Sequence, residues 1–517
     1  MKRRLPAGAR VLLAALGILV GTAGAGHAAC HSSCTEELRA CGRTCTGLHG
    51  KARRQCRRRC GERSTCTAPG APIRTLAYVV SECTTDPEQR SSLAQKLVVR
   101  RGNCDPVTVM EARTPTPVFD PSGVCRQIGT DRLSFEFVST PDQLAVGVFQ
   151  ALVVLPDGSG AVFNVSKQFP PVLPGLTPEP PDEGIFFVRA DGSGLQRLGP
   201  PSRVQSPAGS FRWAASPDGR RIAFVDLGIG DAGDEAQQVW LLDLPACLRD
   251  RQSRCRRQLT RQSRKSTRDD PGVSFPIFVD SRNVGFYTGS TGGGTFTAWQ
   301  VRTNGTHRRK AFEVTDGAPH VIPTFGVTGK HPTAILVLFP EIPAVDAYPY
   351  LHFAREVFAV RGKNVLQLTA FNRSDTAPGG GAGRGVLVGD RLLFVATVNL
   401  GENPDQICQL FSTSTLGGDI RQVTHLRSDG RSPSLGCRYS PPGCGIFSVS
   451  TAADRDTGTV LFSSTCDPLG GNPFGDQVFA MRPDGSQPPR QLTNARGMTT
   501  GPDGTLHVEL AGPFASP

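Results

Sequence analysis

Motifs that mark common enzyme families are missing from this sequence. There is no G-x-S-x-G turn to expose a serine nucleophile, no H-E-x-x-H pair to bind zinc, and no C-x-x-C pair for redox chemistry. Beyond the first 20 residues, no stretch approaches the roughly 18 uninterrupted apolar residues that a membrane-spanning helix needs. The sequence therefore disfavours enzymes that carry these motifs and predicts no internal transmembrane helix.

Glycine and proline are abundant instead, with 59 glycines and 42 prolines among 517 residues. This content disfavours long helices and favours many short strands joined by turns. A chain of this length exceeds one ordinary compact core, so we expect several domains or a repeat architecture.

Residues 1–28 have the pattern of a secretory signal peptide. A positively charged start precedes an apolar run at 11–20, and small residues lead to a cleavage site expected after Ala28. Cys30 would suit a lipoprotein, but His27 stands where that signal requires an aliphatic residue. We therefore expect a periplasmic or secreted protein without lipidation, in a compartment that permits disulfides.

A cysteine-rich segment at 29–66 follows the signal. Its CX3C spacings place the cysteines along stripes of two helices, and antiparallel packing of these helices pairs Cys41 with Cys60 and Cys45 with Cys56. We predict a small helical hairpin held by disulfides, because such a unit cannot build a sufficient core. Metal binding is the alternative, although structural zinc sites more often use C-x-x-C spacing.

Residues 67–130 contain two short apolar runs, and we interpret them as a small cap or linker. From 131 to 517 the sequence repeats with a period of roughly 50 to 70 residues, and each copy has two strand segments rich in apolar residues. The first segments are Gly160–Val165, Arg221–Val225, Asn283–Tyr287, Ala334–Phe339, Arg391–Val395 and Thr459–Ser463. The second segments are Ile185–Val188, Val239–Asp243, Ala298–Arg302, Val357–Val360, Gln409–Phe411 and Val478–Met481.

The turns of the repeat have a definite chemistry. Proline presets φ for a tight turn, and the Asp-Gly pair that follows tolerates positive φ. One four-stranded unit of this kind cannot bury both of its faces, but several units arranged radially can, which favours a β-propeller. The residues to which we assign structural roles in these turns are Pro217, Asp218, Gly219, Asp191, Gly192, Asp484 and Gly485.

The unit that begins at Ser216-Pro217-Asp218-Gly219 and the Arg-Gln-Leu-Thr segments resemble the WD40-like (PD40) repeat of the TolB family, over about residues 143–512. The resemblance implies an all-β fold, a six- to seven-bladed propeller that follows the disulfide-rich helical hairpin. Residues 501–509 would supply two strands of a seventh blade, completed by 133–138 and 144–149. In the TolB family a larger α/β domain precedes six blades, whereas the N-terminal portion of this sequence is short and cysteine-rich. The envelope role of that family is therefore not carried over to this sequence.

The distribution of positive charge and the positions of two cysteines together indicate one candidate binding loop, around Cys247 and Cys255. The net charge of +12 is concentrated in residues 1–66 and in residues 248–268. We expect disulfides Cys247–Cys255 and Cys437–Cys444 to brace two loops of the propeller. The candidate binding residues for an anionic partner are Arg249, Arg251, Arg254, Arg256 and Arg257. A solvated loop is the alternative, and the lack of interleaved aromatic residues argues against nucleic acid.

No catalytic residue, metal site or cofactor is predicted. The acidic run Asp226–Glu235 offers oxygen ligands for Ca²⁺, but it departs from the EF-hand pattern and we favour a solvated hairpin loop. We therefore expect a non-enzymatic, monomeric scaffold that binds a protein or polysaccharide of the cell envelope. A propeller hydrolase or lyase with a metal site at the channel mouth is the alternative, since a fold does not decide function.

Overall fold

A computed structural model divides the chain into two compact units, Met1–Gly70 with Asn103–Asp105, and Ala71–Gly102 with Pro106–Pro517. The structure describes part of 43–56 and residues 73–102, 104–121, 123–126, 148–167, 178–204, 213–249, 255–263, 273–288, 294–316, 322–328, 331–338, 354–361, 364–376, 381–428, 444–449, 459–469 and 477–515. The predicted signal peptide and most of the predicted hairpin lie outside these ranges.

The first unit contains the disulfide Cys45–Cys56, one of the two pairs that the hairpin arrangement predicts. Residues 52–53 and 55–56 are helical, and Cys45 is fully buried. The other predicted pair, Cys41 with Cys60, lies outside the described residues.

The second unit is built from antiparallel sheets, as the repeat predicts. Six of the sheets have four strands each, and we number them blades 1 to 6 in chain order. Blade 1 consists of β5 (Phe149–Val154), β6 (Gly160–Val165), β7 (Gly184–Arg189) and β8 (Gln196–Gly199), and blade 2 of β9 (Trp213–Ala215), β10 (Arg221–Ile229), β11 (Glu235–Asp243) and β12 (Arg256–Gln258). Blade 3 consists of β13 (Val273–Phe278), β14 (Asn283–Thr288), β15 (Gly294–Arg302) and β16 (Arg309–Asp316), and blade 4 of β17 (Ile322–Thr328), β18 (His331–Leu338), β19 (Glu356–Arg361) and β20 (Asn364–Gln367). Blade 5 consists of β21 (Ala382–Val388), β22 (Arg391–Ala396), β23 (Gln409–Ser414) and β24 (Arg421–Gln422), and blade 6 of β25 (Ile446–Val449), β26 (Val460–Ser464), β27 (Gln477–Met481) and β28 (Arg490–Gln491).

A further sheet, the closing sheet, combines strands from both ends of the second unit. Its order is β29-β30-β1-β2-β3, and β4 also pairs with β2. Strand β1 pairs with β30 from Thr85 opposite Leu506 to Ala77 opposite Ala515. These strands are β1 (Thr75–Thr85), β2 (Arg90–Arg101), β3 (Val107–Arg113), β4 (Val118–Phe119), β29 (Gly497–Thr500) and β30 (Leu506–Ala515).

The closing sheet differs from the sequence prediction in its partners. Residues 75–119, for which the sequence indicates a cap or linker, form β1 to β4 of this sheet. The reason is that β1 is apolar on both faces: Ala77 and Val79 pack toward blade 1, while Leu76 and Tyr78 pack toward blade 6. The sequence predicts that 133–138 and 144–149 complete the sheet that contains 501–509. However, Phe149 begins β5 of blade 1, and 133–138 lie outside the described residues.

The sheets form a closed ring. The first strand of each blade contacts the first strand of the next, from β5 through β9, β13, β17 and β21 to β25. The closing sheet contacts blade 6 through β30 and β27 and blade 1 through β1 and β5. The second unit is therefore a β-propeller that both ends of the unit close.

The core of the propeller lies between neighbouring blades. Along β10, Ile222 and Phe224 pack toward blade 1, whereas Ala223 and Val225 pack toward blade 3. Successive strand side chains point to opposite faces, so a strand between two blades must be apolar on both faces. This is why β6, β26 and β27 are buried at every position and why they appear in the sequence as continuous apolar runs.

A cross-strand aromatic pair recurs between the second and third strands of the blades. Phe163 lies opposite Phe186, Phe394 opposite Phe411, and Phe462 opposite Phe479, with ring centroids 5.6, 6.0 and 5.4 Å apart. Such a pair adds about 0.5–1.5 kcal/mol beyond the burial of its surface. Among the described residues, no helix has the length and apolar character that crossing a membrane requires.

Candidate functional site

The candidate binding loop connects β11 with β12 in blade 2. It begins with a short helix, α1 (Leu244–Arg249), whose first turn is capped by the Asp243 carboxylate, an acceptor 3.1 Å from the amide nitrogen of Ala246. The disulfide Cys247–Cys255 then joins the helix to the start of β12, with Cα atoms 5.1 Å apart. We call residues 244–257 the arginine loop.

Both ends of the arginine loop are anchored in the core. Cys247 is fully buried and Cys255 is 6% exposed, and both belong to the apolar cluster between blades 1 and 2. The side-chain amide of Gln196 in blade 1 lies within hydrogen-bond distance of two carbonyl oxygens of α1, 3.5 Å from that of Cys247 and 3.4 Å from that of Leu248. The loop is therefore held by two blades as well as by its disulfide.

Arg256 anchors the loop in the interior of the propeller and does not face solvent. Its side chain is only 15% exposed and forms an ion pair with Asp226, which is buried. The guanidinium carbon lies 4.7 Å from the ring centroid of Trp240 and 5.0 Å from that of Phe224, in cation–π geometry. Burial lowers the pKa of Arg256, and the nearby charge of Asp226 opposes that effect.

Asp226 also accepts hydrogen bonds from neighbouring backbone amides. Its Oδ1 accepts hydrogen bonds from the amide nitrogens of Arg203 at 2.7 Å and Leu227 at 2.8 Å. Glu235, at the other end of the acidic run, pairs with the Arg203 side chain at 2.7 Å. Between them the chain forms a hairpin turn in which the amide of Gly230 donates to the carbonyl of Asp234. Two of the four acidic residues that we considered for Ca²⁺ thus have arginine partners.

Other arginines of the loop face water. Arg249 and Arg257 are exposed, and the Nε of Arg249 donates to the carbonyl of Pro245 at 3.1 Å. Arg251 and Arg254 lie outside the described residues. Of the five arginines that the sequence groups together, the structure therefore places two at the surface and one in the interior. Exposed guanidinium groups on a braced loop can bind carboxylate, sulfate or phosphate groups.

The Asp-Gly turns predicted from the repeat form the tips of the hairpins. Asp191, Asp218 and Asp484 each accept a hydrogen bond from the amide two residues later, at 2.9, 3.1 and 2.9 Å. Burial would raise the pKa of Asp218, but hydrogen bonds from Ser216 and from the Arg220 amide outweigh it and lower the pKa. The glycines that follow these aspartates have positive φ angles of 79° at Gly192, 67° at Gly219 and 70° at Gly485.

A polar cluster that sequence reasoning missed recurs at the opposite ends of the same strands. In blade 5, the Thr424 hydroxyl accepts from the amide of Leu410 and donates to Oε1 of Gln409. That oxygen also accepts from the amide of Leu426, whose carbonyl in turn accepts from Nε2 of Gln409 at 2.7 Å. We call this arrangement a clasp, because it ties the third strand of a blade to the segment that follows the fourth.

The clasp explains the Arg-Gln-Leu-Thr signature. Blades 2 and 6 have the same clasp, formed by Gln238 with Thr260 and by Gln477 with Thr493. The signature threonine supplies the hydroxyl, and the signature glutamine, for example Gln491, donates to the carbonyl of that threonine at 2.8 Å. The signal that identifies the partner residue in the sequence is the glutamine that precedes the apolar run of the third strand.

One disulfide differs from its prediction. Cys444 is bonded to Cys466, not to Cys437. The bond joins the segment before β25 to the segment after β26, and hydrogen bonds between Gly445 and Thr465 bring these two segments together. Cys437 lies outside the described residues. A further bond, Cys83–Cys125, ties β1 of the closing sheet to the residues after β4.

Comparison with known proteins adds structural likeness only. No family model and no curated protein matches the chain. Among solved structures, the β-propeller domain of the Trilobed protease from Pyrococcus furiosus is 10% identical, with a TM-score of 0.42 over 80% of this chain and 94% of that chain. The acylaminoacyl peptidase of Pyrococcus horikoshii is 9% identical, with a TM-score of 0.41 over 81% of this chain and 53% of that chain. The oligogalacturonate lyase of Vibrio parahaemolyticus is 9% identical, with a TM-score of 0.39 over 77% of this chain and 90% of that chain. At these values the activities of the three proteins are not carried over to this chain.

Proposed function

We propose that this chain is an exported, non-enzymatic β-propeller scaffold of the TolB-like class, and that its arginine loop binds an acidic protein or polysaccharide of the cell envelope. The observation that carries the proposal is a braced loop with outward-facing cations. Arg249 is exposed at the end of α1, and Arg257 is exposed on β12. Arg256 and the disulfide Cys247–Cys255 fix the loop to the propeller on both sides.

The rigidity of the loop supports binding. A loop that is ordered before it meets its partner loses less conformational entropy on binding than a free arginine-rich segment does. Oxidised cysteines also fit export, because disulfides persist in oxidising compartments and are rare in the cytosol. The disulfides of the described residues agree with this setting.

Binding to a sulfated polysaccharide tests the proposal directly. The protein is expressed with its signal and purified from the exported fraction, where an N-terminus at Ala29 checks the predicted cleavage. Its retention on immobilised dextran sulfate is then measured over a range of salt concentrations, together with that of the Arg249→Ala, Arg257→Ala double variant. We expect the double variant to bind about tenfold more weakly and with a smaller salt dependence, since two cation contacts are lost.

The matched control is the Arg482→Ala, Arg496→Ala double variant, which also removes two positive charges. Both arginines are exposed and lie far from the arginine loop in the sequence, Arg482 directly after β27 and Arg496 after β28. The control should leave retention close to wild type. Equal weakening by the control and the loop variant would show that net charge, not the loop, governs binding. Unchanged retention of the loop variant would overturn the proposal.

A further inference from the structure

The clasp of blade 4 has a carboxyl group where the other three have an amide. The two hydrogen bonds that one glutamine oxygen accepts in the other clasps go to separate oxygens of Glu356, Oε2 from Thr369 and Oε1 from Phe371. The third strand of blade 4 begins with Glu356, where Gln238, Gln409 and Gln477 stand in blades 2, 5 and 6. Its partner is again the signature threonine, Thr369, whose hydroxyl accepts from the amide of Val357 at 2.9 Å and donates to the Glu356 carboxylate. The amide of Phe371 donates to Oε1 of Glu356 at 2.6 Å.

The chemical difference is that a carboxylate lacks the hydrogen-bond donor of the glutamine side chain. In the three glutamine clasps, Nε2 donates to the carbonyl of the residue two positions after the threonine, which is Gln262, Leu426 or Ala495, at 2.6 to 2.7 Å. The equivalent residue in blade 4 is Phe371. A carboxylate has only acceptors, so ionised Glu356 cannot make this bond, whereas a protonated carboxyl has one O–H donor and can.

Burial makes this difference important. Glu356 is 2% exposed, and no charged partner among the described residues pairs with it. Burial raises its pKa to about 7, although the hydrogen bonds from Thr369 and Phe371 act in the opposite direction. An isolated carboxylate in such a site is costly, and protonation removes that cost.

Burial is the largest cause of the shift, and among the described residues no charged side chain contributes to the pKa of Glu356. Strands β17 and β20 contain no charged residue, and the register of β18 places its only titratable residue at the end away from Glu356. The titratable and charged residues of the elements packed around Glu356 are Arg355, which precedes β19, Arg361 on β19, His331 on β18, Arg373 and Asp375 after β20, Arg384 and Arg391 of blade 5, and Tyr287, Arg302, Arg309, Lys310, Glu313 and Asp316 of blade 3.

We propose that the Glu356 clasp is a pH-sensitive latch on the connection between blades 4 and 5. With the carboxyl protonated, Glu356 holds residues 368–371 as the three glutamines hold their segments. With the carboxyl ionised, the clasp lacks its donor and contains a buried charge, so residues 368–376 open more often. The latch therefore closes in mildly acidic surroundings and loosens in alkaline ones.

Amide hydrogen exchange tests the latch locally. Exchange of peptides that cover 368–376 is followed in the mature protein and in Glu356→Gln at pH 4.0 and pH 8.5, after correction for the intrinsic rate. We expect equal protection at pH 4.0, where the carboxyl is protonated in both the closed and the opened segment. At pH 8.5 we expect the wild-type segment to exchange at least tenfold faster than the variant, because glutamine keeps its donor at every pH.

The reciprocal variant provides an independent test. Gln409→Glu places a carboxyl in the blade 5 clasp, and peptides that cover 424–428 should then acquire the same pH dependence. These peptides should show no such dependence in wild type or in Glu356→Gln, which makes them the internal control. Equal protection of 368–376 in wild type and Glu356→Gln at both pH values would overturn the proposal. So would a Gln409→Glu variant whose clasp shows no dependence on pH.

Discussion

Arg256 and Arg257 are adjacent in the chain but lie in opposite environments, one inside the propeller and one at its surface. On β12, successive side chains point to opposite faces, so only one of the two can reach Asp226 in the interior. Arg256 does so and lies over the rings of Phe224 and Trp240, whereas Arg257 faces water. The direction of a side chain therefore separates an anchor from a candidate binding residue, within one basic segment.

This pair gives a prediction with a built-in control. Arg256→Ala leaves Asp226 buried without its cation, and we expect the free energy of unfolding to fall by about 3–5 kcal/mol. Arg257→Ala should change it by about 0.5 kcal/mol or less, since the residue is exposed. Urea unfolding followed by tryptophan fluorescence measures both, because Trp240 contacts Arg256. Similar stabilities of the two variants would contradict the anchoring role.

At the scale of elements, the sequence predicts the middle of each blade better than its margins. The second and third strands are apolar on both faces and appear as continuous runs, so all six pairs of predicted segments correspond to strands. Strands β24 and β28 have only two residues each, and β9 has three, so none of them shows a periodicity. Their positions depend on the neighbouring strands with which they pair.

The candidate site follows the same rule. The clustering of arginines and the disulfide Cys247–Cys255 can be read from the sequence, because both are local. The inward direction of Arg256 cannot, since its partner Asp226 lies 30 residues earlier. The clasps combine a local signal, the Arg-Gln-Leu-Thr segment, with a partner on another strand, so only half of each clasp is visible in the sequence.

The Cys247–Cys255 disulfide allows stability and binding to be separated at the scale of an element. Replacing both cysteines by serine opens a short loop, and we expect the free energy of unfolding to fall by about 2–3 kcal/mol. Retention on dextran sulfate should also weaken, because Arg249 and Arg257 lose their fixed spacing. The control replaces Cys83 and Cys125, whose separation of 42 residues encloses a longer loop in the closing sheet. That variant should lose at least as much stability and keep its binding, and loss of binding in both variants would point to general unfolding.

The whole molecule depends on the pairing of β1 with β30. Adjacent blades share apolar clusters around the entire ring, so no blade has an independent core. A closed ring of this kind should unfold as one unit, whereas an open array can lose its end repeats separately. The three tryptophans report on this difference, because Trp213, Trp240 and Trp299 all lie in blades 2 and 3, away from the closing sheet.

Damage to the closing sheet should therefore be detected by distant tryptophans. Val508 on β30 is 2% exposed and packs with Cys83 and Leu510, whereas its neighbour His507 is exposed. Val508→Asp buries a carboxylate, which we expect to cost about 3 kcal/mol or more, and His507→Asp should cost about 0.5 kcal/mol or less. In urea unfolding, Val508→Asp should lower the midpoint of tryptophan fluorescence by as much as the midpoint of far-ultraviolet circular dichroism. A dichroism change at low urea with an unaltered fluorescence midpoint would mean that blades 2 and 3 hold together without the closing sheet, and that closure does not stabilise the ring as a whole.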